Sequence, residues 1–287
     1  MPVREITDLN QWDSFVEKSP QGTIFCKSDW LKLYGWFRIF GYFKNDSLLG
    51  GICGFGLKGG YDSGYSIPLT PFLGILIAPQ PNAKYQAVMS LHNDVGENLL
   101  KFLLDEYGLI RISSHYNFPD VRPFLWDSWK PSVRYTYVVD ISDLTKTWAN
   151  LEKQTRYDIT KAQREGRPLQ WSLGYFDELY EQTFERKGMA RPISRKFLKN
   201  LNDTFECRIV GTSSSMAYVV WDSKRAYYIL GASDGTGSAL SVWAMFDGLN
   251  GMGIKEVDLV GCNNREIGLF KRGFGGELRP YYQVTNL

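Results

Sequence analysis

The sequence predicts a mixed α/β (α+β) protein made of two units, because one order of elements occurs twice along the chain. In each half, a meander of short strands precedes a helix, and a further strand comes after that helix. The length of 287 residues leaves room for two domains of about 140 residues each. With 44% hydrophobic residues, such domains can bury cores of their own.

The elements of the first half are set by turn residues and hydrophobic spacing. Residues 84–107 place apolar side chains at helical intervals, whereas 37–43 and 48–57 alternate as a hairpin does. The predicted helices are 8–20, 28–36 and 84–107, and the predicted strands are 37–43, 48–57, 74–78 and 109–113.

The second half repeats this order. Its predicted helices are 177–187, 194–201 and 237–249, and its predicted strands are 205–211, 215–221, 225–232 and 256–260. Short strands bounded by turn residues are typical of a meander. Residue identity between the halves is weak, so the argument for a duplication rests on the order of elements.

A basic helix is predicted over 144–166, where the two halves join after a strand at 135–140. One face of this helix carries four apolar side chains, those of Trp148, Leu151, Ile159 and Ala162. A second, largely cationic stripe on another face is formed by Lys153, Arg156, Thr160 and Arg164. Such a stripe is commonly the solvated face of a surface helix. The functional alternative is a cationic wall for an anionic substrate.

A second basic segment, 268–277, is glycine-rich. It holds the adjacent cations Lys271 and Arg272 and, directly after them, Gly273 and Gly275. Fixed cations and closely approaching backbone amides are what phosphate oxygens need. The segment follows a strand-like run, so it is predicted as a short helix, a glycine turn and a closing strand. An ordinary loop between two elements is the alternative.

Composition excludes several classes of function. The net charge of +2 gives no broad field for DNA, RNA or an acidic membrane. The four cysteines are far apart, without a Cys-x-x-Cys pair, so neither a metal site nor a disulfide framework is predicted. No apolar run approaches a bilayer span, and the first residues lack a signal region. We therefore expect a cytoplasmic protein with no membrane span and no DNA partner.

Several ordered motifs resemble the Fem family. Residues 154–166 match its approximate pattern Arg-x-x-Ile-x-Lys-Ala-x-x-x-Gly, and the Phe-Lys-x-Gly-Phe-Gly run at 270–275 is similar to that family too. So are the strand at 227–233 and the early run at 22–30. The resemblance spans nearly the whole chain. It implies two tandem acetyltransferase-like (GNAT) domains, at 1–140 and 141–287, each a mixed, mostly antiparallel sheet flanked by helices.

The resemblance also implies an activity. Fem proteins transfer aminoacyl groups from charged tRNA to the peptide of a cell-wall precursor. We therefore expect transfer of an aminoacyl or other acyl group to an amino group of a phosphate-bearing cell-wall or related precursor. The co-substrate would be aminoacyl-tRNA or acyl-CoA, and no tightly bound cofactor is expected. The near-neutral charge weakens the tRNA reading, because gripping tRNA normally takes a broad basic surface.

Two departures from the standard GNAT pattern argue against acetyl-CoA. Where those enzymes carry Gln/Arg-x-x-Gly-x-Gly/Ala for the CoA pyrophosphate, this chain has the glycines, but Ala232 stands first. Where a late helix carries the tyrosine that protonates the departing thiolate, this chain has Phe270, with spacing one residue shorter. A phenyl ring cannot take part in an acid–base step.

Two residues are candidates for catalysis: Lys271 by this resemblance, and Asp234 by its place at the carboxyl end of the predicted central strand. The Lys271 ammonium would hold substrate phosphates or stabilise the tetrahedral oxyanion of acyl transfer. Its alternative is an ordinary surface lysine. Asp234 would accept the proton of the attacking amine, although an aspartate at a helix start is more often an N-cap.

Five further residues are candidates for substrate binding. Arg156 would clamp a phosphate or carboxylate, and Tyr228 stands near the carboxyl end of the predicted central strand, where α/β sheets tend to bind ligands. Arg272, Gly273 and Gly275 belong to the glycine-rich segment, and Arg272 alternatively faces solvent.

Three hypotheses stay open at this point. The first is a Fem-like aminoacyl or peptidyl transferase, and the second is an acyl-CoA-dependent GNAT N-acyltransferase acting on a sugar or small amine. The third is a non-catalytic, degenerate binding protein that keeps the cleft. The two departures disfavour the second hypothesis, and the retained Lys271 and glycines disfavour the third.

Overall fold

The chain divides into two units by the contacts between its residues. A computed structural model describes residues 2–57, 59–118 and 120–287. One unit holds the residues up to Arg134 together with Pro280–Leu287, and the other is Tyr135–Arg279. The predicted domains, 1–140 and 141–287, stay a prediction. The units differ from them in that 135–140 group with the second unit and 280–287 with the first.

The first part of the chain alternates strands and helices, with a 3-10 turn at Ile24–Cys26. In order, its elements are β1 (Val3–Glu5), α1 (Leu9–Lys18), α2 (Ser28–Lys32), β2 (Arg38–Lys44), β3 (Ser47–Leu57), β4 (Gly60–Ser63), β5 (Ile75–Ile77), α3 (Tyr85–Glu106), β6 (Leu109–Ser113), α4 (Arg122–Trp126) and β7 (Lys130–Asp140).

The second part begins with helices. Its elements are α5 (Leu144–Asn150), α6 (Lys153–Glu165), β8 (Leu169–Gln170), α7 (Leu173–Glu185), α8 (Arg195–Thr204), β9 (Cys207–Thr212), β10 (Ser215–Trp221), β11 (Ala226–Ser233), α9 (Ser238–Asn250), β12 (Glu256–Asp258), α10 (Arg265–Arg272) and β13 (Glu277–Thr285).

In the first unit, the strand order is β1-β2-β3-β4-β6-β13, and β5 pairs with β3. Among the described residues, the strand pairs β1–β2, β2–β3, β3–β4, β3–β5 and β6–β13 are antiparallel, and the pair β4–β6 is parallel. Helix α3 covers it with a buried apolar stripe that includes Val95, Leu99 and Leu103. Burial of that stripe removes apolar surface from water and holds the helix on the sheet.

In the second unit, the strand order is β7-β12-β11-β10-β9-β8. Here too the pairs are antiparallel except one, the parallel pair of β11 and β12. Helix α9 packs its buried side chains, among them Leu240, Met245 and Phe246, into the core of this unit. The strands of each unit are mixed and mostly antiparallel and are flanked by helices, which confirms the predicted α/β class.

The strands β11 and β12 are unequal in length. They are paired only at Ala226 with Val257 and at Tyr227 with Asp258, after which β12 ends and β11 runs on to Ser233. Among the described residues, no strand therefore pairs with the carboxyl end of β11 on the β12 side, and this is where a cleft forms.

The predicted continuous helix over 144–166 is wrong, because two helices occupy that stretch. Leu151 has extended backbone and is buried, and the backbone N–H of Glu152 donates to the Gly273 carbonyl at 2.9 Å instead of continuing α5. The chain then begins again as α6. A contact with a distant segment, not a local breaker residue, interrupts the helix.

None of the helices in the described ranges is both long enough and apolar enough to cross a bilayer.

Candidate active site

A cleft of about 450 Å³ lies in the second unit at the carboxyl end of β11, and we call it the β11 cleft. Residues of β11, α7, α9 and α10 line it. Its charged lining residues are Arg186, Lys187 and Lys271, and no carboxylate lines it in the described part of the chain. Because three cationic side chains and no described carboxylate line the β11 cleft, it is suited to an anionic ligand.

Tyr228 forms one wall of the β11 cleft. The register between β10 and β11 shifts here, so that Ile229 has no direct partner in a β-bulge. A Cβ atom at Gly231 would lie 2.2 Å from the Tyr228 hydroxyl oxygen, which is far too close. Glycine at 231 therefore leaves the space that this ring needs. Burial raises the pKa of the Tyr228 phenol to about 12, so it stays protonated at neutral pH.

Lys271 is held firmly on helix α10. The Asn264 side chain caps this helix by accepting from the backbone N–H groups of Glu266 (2.9 Å) and Ile267 (3.3 Å). Lys271 lies in the last turn of the helix and is only 8% exposed. Its Nζ donates to the carbonyl oxygens of Val260 and, at 2.8 Å, Gly261. A lysine with a fixed, mostly buried ammonium is not an ordinary surface lysine.

The surroundings of Lys271 change its protonation. Burial lowers the pKa of the ammonium to about 8, while the buried carboxyl of Asp258 acts in the opposite direction. Burial also raises the pKa of Asp258, to about 6. At neutral pH, Lys271 is therefore mainly charged but close to titration.

Asp234, the second predicted catalytic residue, is exposed in the turn between β11 and α9. Its carboxylate accepts from the backbone N–H (2.9 Å) and the hydroxyl (2.8 Å) of Thr236. It does not cap α9, because the N-cap is Gly237, with a φ of +69°. Asp234 is also not among the residues that line the β11 cleft. Its role as a proton acceptor stays a prediction.

The loop around Asp234 uses its own amides. The N–H of Gly235 donates to the Ser233 hydroxyl at 2.9 Å, and the N–H of Thr236 donates to Asp234. In this conformation, neither amide is free to hold a pyrophosphate, and a carboxylate stands beside them. The loop is thus poorly suited to the CoA contact that its glycines resemble.

Arg156 lies at the break between α5 and α6. Its Nη1 donates to the carbonyl oxygens of Ala149 at 3.0 Å and Leu151 at 2.6 Å, close to the end of α5. Orphan carbonyls at a helix end are stabilised by such donors. Arg156 does not line the β11 cleft, and its predicted clamp role stays a prediction.

The other predicted binding residues surround the same break. Arg272 is exposed and forms an ion pair with Glu152 at 2.7 Å. A Cβ at Gly273 would lie 2.3 Å from the Thr155 hydroxyl oxygen, and one at Gly275 would lie 2.4 Å from the Asn150 carbonyl oxygen. Gly275 also has a φ of +70°. In this structure, the two glycines permit close packing against α5 and α6.

The structure therefore brings together two of the seven predicted residues, Lys271 and Tyr228, in one cleft. Sequence reasoning missed Arg186 and Lys187, which follow the end of α7 and supply its other two cations. Two adjacent basic residues directly after an amphipathic helix could have indicated an anion site. They did not stand out, because basic residues are common at helix ends.

Neither a family model nor a curated protein matches the sequence. Among solved structures, FemX superposes with a TM-score of 0.69 over 98% of this chain and 97% of its own, at 13% identity.

The chain has a Fem-like fold.

Two more structures share this Fem-like fold. The C-terminal domain of a proposed lysylphosphatidylglycerol synthetase from Agrobacterium fabrum superposes with a TM-score of 0.60 at 10% identity, covering 96% of this chain and 92% of that domain. A tandem GNAT protein from the clavulanic acid biosynthesis pathway gives 0.57 at 9% identity, covering 99% and 97%. The resemblance to the Fem family expected from the sequence is confirmed at the level of the fold.

Proposed function

We propose that the chain is a Fem-like N-acyltransferase. It moves an aminoacyl or other acyl group from an activated carrier to an amino group of a phosphate-bearing cell-wall or related precursor. The observation that carries this proposal is the charge of the β11 cleft: Arg186, Lys187 and Lys271 line it and no described carboxylate does. Guanidinium and ammonium groups bind phosphate oxygens through strong, charge-assisted hydrogen bonds.

The chemistry needs little beyond placement and charge. A neutral amine attacks the carbonyl carbon of the donor, and the carbonyl electrons move to oxygen. As the tetrahedral oxyanion collapses, the bond to the carrier breaks, and the proton lost by the amine nitrogen ends on the departing atom of the carrier. Fixed donors that await the oxyanion lower the barrier most. No covalent enzyme intermediate is required.

Lys271 is the proposed oxyanion donor. An ammonium has three N–H donors, and two are used on the carbonyls of Val260 and Gly261. One donor remains for a substrate in the β11 cleft, and the other two hold the group in place. The nearby Tyr228 ring, with its centre 5.6 Å from Nζ, favours the charged form of Lys271.

Aminoacyl-tRNA is the favoured donor and acyl-CoA the alternative, with neither bound as a resident cofactor. Phe270 lines the cleft where a GNAT tyrosine would protonate a thiolate, and it has no hydroxyl. The amides of Gly235 and Thr236 are engaged within their own loop. Both features disfavour acyl-CoA more than they disfavour a donor whose leaving group is a ribose hydroxyl.

The proposal is tested by a transfer assay with two donors. The protein is incubated with a phosphate-bearing muropeptide precursor and either a mixture of charged tRNAs or acetyl-CoA, and the precursor is weighed by mass spectrometry. We expect a gain of one aminoacyl group with charged tRNA and no acetylation. Acetylation without aminoacylation would favour the acyl-CoA alternative, and binding without transfer would favour a non-catalytic protein.

A further inference from the structure

The carboxylate of Asp258 is fully buried at the end of β12, and the mechanism above does not use it. Its Oδ1 accepts hydrogen bonds from the Thr136 hydroxyl and, at 2.8 Å, from the backbone N–H of Val260. Its Oδ2 has no hydrogen-bond partner among residues 2–57, 59–118 and 120–287. Burial of a carboxylate that has one oxygen without a hydrogen bond costs free energy. We therefore asked what Asp258 contributes at this position.

The hydrogen bond from the Val260 N–H to Asp258 is part of a turn with an uncommon backbone conformation. Val260 has a φ of +50° and Gly261 has a φ of +62°, so both lie in the left-handed region. For a β-branched residue such as valine, this conformation is strained and must be held by its surroundings. The turn aims the carbonyls of Val260 and Gly261 at the ammonium of Lys271, which donates to both.

These contacts form one connected chain from Asp258 through the Val260–Gly261 turn to Lys271. We propose that Asp258 is a positioning residue: it holds this turn in the left-handed conformation and thereby fixes the Lys271 ammonium at the wall of the β11 cleft. The inference rests on the proposed function, in which Lys271 acts on the substrate. Asp258 itself does not line the cleft.

Asp258 acts on Lys271 through its charge as well as through its hydrogen bond to the turn. Lys271 is influenced by Asp258 on β12, by the Cys262 thiol after it and by the Tyr228 ring on β11. Asp258 is in turn influenced by Arg225 and Lys271. Burial disfavours the ammonium, and the carboxylate offsets part of that cost.

Three variants test the inference. Asp258→Asn keeps the shape and an acceptor oxygen for the Val260 N–H but removes the charge, whereas Asp258→Ala removes both. Asp222→Asn is the matched control, because Asp222 holds the β10–β11 turn by accepting from the N–H groups of Lys224 (2.8 Å) and Arg225 (3.0 Å). It is the same chemical change at another turn of the same unit.

The first readout needs no substrate. In protein labelled with 15N-lysine, the Lys271 Nζ signal is assigned by its loss in Lys271→Met and then titrated with base. We expect a midpoint near pH 8 in the wild type and in Asp222→Asn. In Asp258→Asn the midpoint moves to lower pH, because the favourable carboxylate charge is gone.

The second readout separates kcat from KM in the transfer assay. We expect kcat to fall about tenfold in Asp258→Asn, because a smaller fraction of Lys271 is charged, and about 100-fold in Asp258→Ala, because the turn is also released and a small misplacement of a reacting group is that costly. KM should change little in both variants. If Asp258→Asn is folded and Lys271 titrates as in the wild type, the inference is wrong. If the titration shifts but no protein transfers an acyl group, the positioning stands and the proposed function fails.

Discussion

The ammonium of Lys271 on α10 lies 5.6 Å from the centre of the Tyr228 ring on β11, so that a cation and an aromatic ring from two elements of the second unit are in contact. Both side chains line the β11 cleft. An aromatic face attracts a cation most where water is excluded. This pair therefore stabilises the charged form of Lys271 and keeps it beside the space where a substrate would lie.

The ring of Tyr228, more than its hydroxyl, should matter for activity. We predict that Tyr228→Phe changes kcat less than threefold, because the cation still lies near an aromatic ring. Tyr228→Leu should lower kcat about tenfold, as expected for losing a cation–π contact of about 1–2 kcal/mol. Steady-state transfer kinetics on both variants check this. A large loss in Tyr228→Phe would instead assign the phenol a role in proton transfer.

Arg186 and Lys187 should bind the anionic part of the substrate. Arg186→Gln and Lys187→Gln are each predicted to raise KM about tenfold, with little change in kcat, because one charge-assisted hydrogen bond is worth about 1.5–3 kcal/mol. The double variant should also show a weaker dependence of KM on salt. Lys199→Gln on the exposed surface of α8 is the control. Equal KM values in all variants would show that the ligand's anion binds elsewhere.

Arg156 gives a test that separates a structural role from substrate binding. Its bonds to the carbonyls of Ala149 and Leu151 predict that Arg156→Met destabilises the fold by about 1–3 kcal/mol. Urea unfolding measures this free energy. Transfer kinetics below the unfolding transition should be close to those of the wild type. A raised KM at unchanged stability would restore the substrate clamp expected from the sequence.

Stability should depend on pH through Lys271. Burial lowers its pKa from 10.5 to about 8 in the folded protein, so between these values the unfolded chain binds more protons. The contribution of Lys271 to the free energy of unfolding then rises with pH, by about 2 kcal/mol between pH 8 and pH 10. Denaturant unfolding of the wild type and Lys271→Met at these two pH values checks this: the change in the free energy of unfolding should be about 2 kcal/mol more favourable in the wild type than in the variant. Parallel pH profiles would mean that Lys271 is not buried as described.

Much of the fold could be predicted from hydrophobic spacing. The hairpin of β2 and β3 and the long helix α3 lie within a few residues of their predicted bounds. Strand β4, by contrast, is only four residues long and contains glycine and aspartate, which are depleted in strands. It forms because β3 and β6 pair with it on either side. The partner β6 (Leu109–Ser113) is distant in sequence and leaves no local signal at β4.

The site was predictable only in part, for a similar reason. Lys271 could be identified from its motif. Arg156, in contrast, was placed on one continuous helix, and the sequence gives no sign that this helix is interrupted between α5 and α6. The apolar pattern continues through the break, because Leu151 was predicted on the buried face of one helix and is also buried in the structure. No proline or glycine marks the break in the sequence. The interruption comes from the Gly273 carbonyl, more than 120 residues later.

The most direct test of the account is a single-turnover measurement with enzyme in excess over charged tRNA. It compares the wild type with Lys271→Met and with Lys199→Met, a lysine replaced on the exposed surface of α8. We predict that the wild type and Lys199→Met add one aminoacyl group to the phosphate-bearing acceptor, and that Lys271→Met does so about 100- to 1000-fold more slowly. Transfer by folded Lys271→Met at the wild-type rate would contradict the account.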